Sequence, residues 1–186
     1  MNAASREFTV GDLSFLLETD TGMLRSLRFR GHEVLRGIYP AVRGAQWETL
    51  SPALAPPLID ASAQGVTIHL AARVTFPSGE LHWHAHIVAD AHGTLRYHWR
   101  GCADGDVSPN RTGLCILHPA TVADGPCTVE HVDGRVTAGR FPGAIAPHQP
   151  FQNIRAITHA FAPGVTATAH CAGEVFEMED QRNWTD

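Results

Sequence analysis

The sequence predicts an all-β fold: a single antiparallel β-sandwich domain over residues 1–186, with little or no helix. Three observations carry this. Polar and apolar residues alternate with period two through most of the chain, the runs are short, and the gaps between them hold turn-forming residues. Many short strands with regular punctuation are the pattern of a sandwich.

Taken in order, residues 41–50 are the best helix candidate, and they have neither a cap nor a sustained apolar stripe. Residues 51–57 carry three prolines in seven positions and read as a loop. Val66-Thr67-Ile68-His69-Leu70 alternates, as do Leu81-His82-Trp83-His84-Ala85-His86-Ile87 and Leu95-Arg96-Tyr97-His98-Trp99-Arg100. Val129-Glu130-His131-Val132 and residues 165–170 repeat the pattern. Pro77-Ser78-Gly79, His92-Gly93, Asp133-Gly134 and Pro163-Gly164 are short enough for hairpins. Residues 141–151, with Pro142, Pro147 and Pro150, read as an irregular surface segment. The expected core contains Ile68, Trp83, Ile87, Trp99, Leu114, Ile116, Ile154 and Ile157. Ile154 and Ile157 differ in phase, so both can face inward only if their strand carries a bulge or is irregular.

Composition narrows the function. Hydrophobic residues make up 44% of 186, enough for a real core, and the net charge of −5 argues against nucleic acid or an anionic membrane as partner. All 14 basic residues are Arg, which removes Schiff-base and Lys general-base chemistry from this chain. No apolar run approaches the ~20 residues of a membrane helix. The start, MNAASREFTVGD, lacks the basic and apolar regions of a signal peptide. Cys102, Cys115, Cys127 and Cys171 form no CxxC pair and read as reduced thiols, so the expected location is the cytoplasm.

Three constellations could carry chemistry. His82, His84 and His86 share one strand face, but a straight row spans too far for one tetrahedral ion and no acidic fourth ligand is near. We expect no metal there and no cofactor elsewhere. Arg111 and His118 bracket the apolar strand within NRTGLCILHP. A guanidinium suits vicinal hydroxyls or a carboxylate, and a His at a strand end can act as acid or base. The alternative is an Arg paired with a carboxylate and a His bonded to a loop carbonyl. The closing stretch FEMEDQRNWTD places Glu177 and Glu179 on one face of an extended chain, with Phe176 and Met178 turned to the core. Two such carboxylates can divide acid and base roles. Asp180, Asn183 and the flat indole of Trp184 complete a vocabulary suited to sugars. The plainer reading is a salt-bridged end, with Arg182 tied to Glu179 or Asp180. If one patch unites these groups, Arg111 or His118 reaches Glu177, Glu179 or Asp180, with Trp184 at the edge.

Four segments, NRTGLCILHP, GPCTVEHVDG, FPGAIAPHQPFQNIRAITH and FEMEDQRNWTD, together resemble the N-terminal domain of D-apionate lactonases. The stretch GMLRSLRFRGHEVLRGIYPAVRGAQWET is compatible with the same domain and has the general look of a mutarotase-like supersandwich. The resemblance implies a bacterial enzyme of sugar-acid metabolism that hydrolyses D-apionolactone to D-apionate. It also implies a barrel-like C-terminal domain beyond these residues, holding most of the catalytic apparatus. FEMEDQRNWTD would then be a junction. On that view Arg111, His118, Glu177, Glu179, Asp180, Asn183 and Trp184 contribute to binding a sugar lactone or sugar acid. Two alternatives stay open. One is a stand-alone mutarotase-like enzyme with His118 as acid and Glu177 or Glu179 as base on a sugar hemiacetal. The other is a non-catalytic carbohydrate-binding module.

Overall fold

The computed structural model describes residues 5–183, which divide into two compact units at residues 118 and 119. Among the described residues, the first unit holds ten strands. They are β1 (Ser5–Val10), β2 (Leu13–Glu18), β3 (Leu24–Phe29), β4 (His32–Arg43) and β5 (Ala53–Leu54), then β6 (Leu58–Ala61), β7 (Gly65–Phe76), β8 (Ser78–Asp90), β9 (Leu95–Asp106) and β10 (Arg111–Leu117). One antiparallel sheet runs in the order β1-β2-β3-β4-β10. The other runs β5-β7-β8-β9, with β6 also pairing β7.

Both sheets bury one face in a common core, which makes this unit the expected antiparallel sandwich. Phe8, Val10, Phe15, Leu17 and Leu24 come from one sheet, and Ile68, Leu70, Trp83 and Ile87 from the other. The alternation explains the arrangement. On β8, Leu81, Trp83, Ala85 and Ile87 are buried while His84 and His86 face solvent and His82 is half-exposed. Register fixes the choice, because a slip of one residue would exchange Trp83 for a histidine.

Two expectations need correction. Trp99, Leu114 and Ile116 were expected in the core, and they are only half-buried against it. The reason is position: β9 and β10 are edge strands of their sheets, so their inward side chains are covered on one flank only. The 51–57 loop contains the two-residue strand β5, whose Ala53 and Leu54 pair with Arg73 and Ala72. Residues 41–50 form no helix, as their missing cap and missing apolar stripe predict: they are the end of β4 followed by a turn.

The second unit is a four-stranded antiparallel sheet. Its strands are β11 (Pro126–His131), β12 (Val136–Arg140), β13 (Ile154–Ala162) and β14 (Val165–His170), in the order β12-β11-β13-β14. The β11–β12 turn uses Asp133-Gly134, with Gly134 at φ +84°, a conformation that glycine adopts without a Cβ clash. Cys127, Val129, Phe141, Ile154 and Ile157 form the core, with Phe151, Phe176 and Met178 packed on it. The phase problem of Ile154 and Ile157 is solved by a bulge. Glu130 pairs with Ala156 and His131 with Ile154, leaving Arg155 as the extra residue. Residues 141–151 carry no strand, as expected. Among the described residues, helix is limited to single 3-10 turns at Ala120–Val122 and Gln181–Asn183. Among the described residues no helix is long and apolar enough to cross a membrane.

Candidate functional site

The closing segment is anchored before its charges begin. The Ile154 N–H donates to the Phe176 carbonyl at 2.8 Å, and the Met178 N–H donates to Phe151 at 2.9 Å. These bonds set the phase, so Phe176 and Met178 pack on the core and Glu177 and Glu179 are exposed. Asp180 then turns inward and is buried, its side chain 6% exposed.

Asp180 is the centre of a clasp. One carboxylate oxygen accepts the Arg182 N–H at 3.1 Å and the Arg182 Nε at 2.8 Å. The other accepts the Ala146 N–H at 3.0 Å and Arg182 Nη2 at 2.7 Å. The same guanidinium donates Nη1 to the Gly143 carbonyl at 2.8 Å, and Nη2 to Pro142 at 3.0 Å and Ala144 at 3.2 Å. Asn183 Nδ2 donates to the Ala146 carbonyl. Residues 142–146 have few sheet partners of their own, so this Arg–carboxylate pair supplies their backbone hydrogen bonds. The Arg182 hydrogen bonds hold the Asp180 carboxyl well below the usual range, outweighing the opposing effect of burial. Arg182 is raised in turn, chiefly by Asp180.

Of the sequence-predicted residues, Asp180 and Asn183 are brought together around loop 142–146, and the expected tie between Arg182 and Asp180 is present. Trp184 lies outside the described residues. Arg111 and His118 belong to the first unit, at the two ends of β10. Arg111 opens β10 opposite Arg43 on β4, and its guanidinium carbon stands 6.0 Å from the ring centroid of Trp47. His118 follows β10 directly and is half-buried.

Trp47 was missed from sequence. Isolated tryptophans are usually core, and nothing in the spacing of residues 41–50 marked this one as exposed. The buried His131 was missed too: its ring nitrogens meet the Gln152 carbonyl and Thr137 Oγ1, each at 2.9 Å, which fixes the bulged end of β13. His159 is buried on the same face, edge-on to Phe141, and burial pushes its pKa down.

The histidine row lies on the outer face of β7, β8 and β9. His86 is in register with His69 and His98, and stacks on His69 with ring centroids 4.5 Å apart. His82 Nε2 lies 3.3 Å from Glu80. Among the described residues no group of three or more His, Cys, Asp or Glu is arranged to hold a metal ion. The four cysteines are not joined in disulfides, and burial raises the Cys127 and Cys171 thiols.

Fold and closing segment together define an antiparallel all-β protein whose last described turn is locked by an Arg–carboxylate clasp. The family described as D-apionate lactonase, N-terminal domain, matches residues 1–186, and the chain belongs to it. The D-apionate lactonase of Brucella anthropi is 40% identical over 172 residues, covering 91% of this chain. The chain spans only 28% of that relative's length. No solved structure matches it.

Proposed function

We propose that this chain is the β-domain of a longer, cytoplasmic D-apionate lactonase-like enzyme, helping to bind a sugar-acid lactone without completing its hydrolysis. The observation that carries this reading is the family match over residues 1–186 in a chain spanning 28% of its relative. The chemistry of the closing segment agrees with it. Lactone hydrolysis needs an activated nucleophile, a proton acceptor and donors for the developing oxyanion. Asp180 is ionised and committed to Arg182 and Ala146, which makes it a poor general acid. Glu177 and Glu179 are exposed to solvent and not enclosed in a site that would exclude water from a reacting lactone. The remaining catalytic groups then belong to a C-terminal domain, to which FEMEDQRN leads.

A pH-stat assay of residues 1–186 with D-apionolactone tests this. The expected result is base uptake at the uncatalysed rate. Catalysed turnover that disappears in Glu177→Gln overturns the proposal and identifies a stand-alone enzyme.

A further inference from the structure

The turn after β4 holds its tryptophan in an uncommon conformation. Trp47 has φ +69°, in the left-handed region that bulky side chains rarely enter, and it is 52% exposed. A strained residue persists only where its surroundings over-determine it. Here the Gly44 N–H donates to the Glu48 carbonyl at 2.9 Å and the Trp47 N–H to Gly44 at 3.0 Å. The Glu48 carboxylate folds back to accept the Gln46 N–H at 2.9 Å. A Cβ at Gly44 would fall on that carboxylate, so a larger residue there would displace the Glu48 side chain from the turn. Just outside, Arg43 bonds Thr49 Oγ1 and the Asn110 N–H donates to the Arg43 carbonyl at 2.8 Å. The turn is therefore pinned at both ends, and beside the start of β10 it presents an indole that buries little in the fold.

A solvent-facing tryptophan held in a strained turn contributes little to the core, while Arg111 stands at its ring. We infer that Trp47 and Arg111 form a binding site for a sugar acid or its lactone. The sugar's C–H face stacks on the indole. The guanidinium hydrogen-bonds the carboxylate, or the lactone carbonyl and neighbouring hydroxyls. This rests on the reading above for the ligand class, and it places recognition on residues 1–118 rather than on the closing segment.

The test uses tryptophan fluorescence and calorimetry of residues 1–186 with D-apionate, and with D-glucose as an uncharged sugar. D-apionate is expected to change the fluorescence saturably, with at least tenfold weaker binding of D-glucose. Arg111→Ala should weaken D-apionate binding at least tenfold, and Arg111→Lys should recover only part of it because a point charge cannot make the paired contact. Trp47→Gly separates site from fold. Glycine accepts the positive φ, which offsets the lost indole contacts and added chain entropy, so Tm should stay within roughly 4 °C of the parent while binding falls at least tenfold. Binding that survives Trp47→Gly unchanged, or a calorimetric blank with the parent chain, overturns the site. Neither result bears on turnover, which the pH-stat assay reads separately.

Discussion

Replacing Asp180 by Asn tests the clasp at constant size. The carboxylate accepts four hydrogen bonds, two at each oxygen. An amide keeps one oxygen, so whichever way it sits its NH2 group faces two N–H donors. Two charge-assisted bonds are lost and donors are set against donors, an effect of about 2–4 kcal/mol if fully buried. Arg182 is 44% exposed, so water recovers part of its hydrogen bonding, and the expected loss is about 1.5–2.5 kcal/mol. Thermal melts at pH 7 should show a drop of roughly 3–10 °C. Amide exchange should show faster exchange at Ala146, whose N–H loses its acceptor. The pH dependence has a definite sign. The Asp180 carboxyl lies below its ordinary value of 3.8, so its stabilisation is fully present above about pH 4 and fades as pH falls through the depressed value. The gap between parent and Asp180→Asn should therefore be flat from pH 8 down to about 4.5 and close below that. Equal melting temperatures, with unchanged exchange at Ala146, would refute the clasp.

Trp83→Ala, which empties a site only 1% exposed in the sandwich core, should destabilise the first unit by about 3–5 kcal/mol in urea melts. A loss under about 1 kcal/mol would show that the core does not depend on it. Deleting Arg155 removes the bulge residue but leaves Ile154 and Ile157 on one face, so the variant should fold, with a loss of about 1–2 kcal/mol. Deleting Thr158 instead flips His159 and the residues after it, and should leave the second unit unfolded by NMR; equal tolerance of both deletions contradicts the register. At the exposed histidine row, His84→Ala should change Tm by less than about 2 °C, since surface substitutions fall within about 0.5 kcal/mol. A larger drop would mean that this face is covered or liganded.

The strands of the sandwich were legible because each buries one face, and period two survives wherever that holds. Trp83 and Ile87 were placed correctly for this reason. Trp99, Leu114 and Ile116 show the same period yet stay half-buried, because alternation reports which way a side chain points and not whether its strand lies at an edge. The bulge at Arg155 was legible as a conflict between two isoleucines that both belong inside. In the closing segment, a tie from Arg182 to Glu179 or Asp180 was readable from their spacing, and Asp180 is the partner found. Its reach to the carbonyls of 142–144 was not, since some forty residues separate them in sequence. Trp47 was invisible for a different reason: its exposure follows from a turn closed by Gly44 and Glu48, and no hydrophobic period records that.

Recognition of a sugar-acid lactone and the absence of its hydrolysis can both be read in one calorimetric titration of residues 1–186 with D-apionolactone. Binding appears as heat that saturates with each injection, and turnover appears as a sustained displacement of the thermal power until the lactone is consumed. Binding without hydrolysis gives saturable heat that returns to baseline after every injection. A sustained displacement that vanishes in Glu177→Gln would contradict it, as would injections that give no heat beyond dilution.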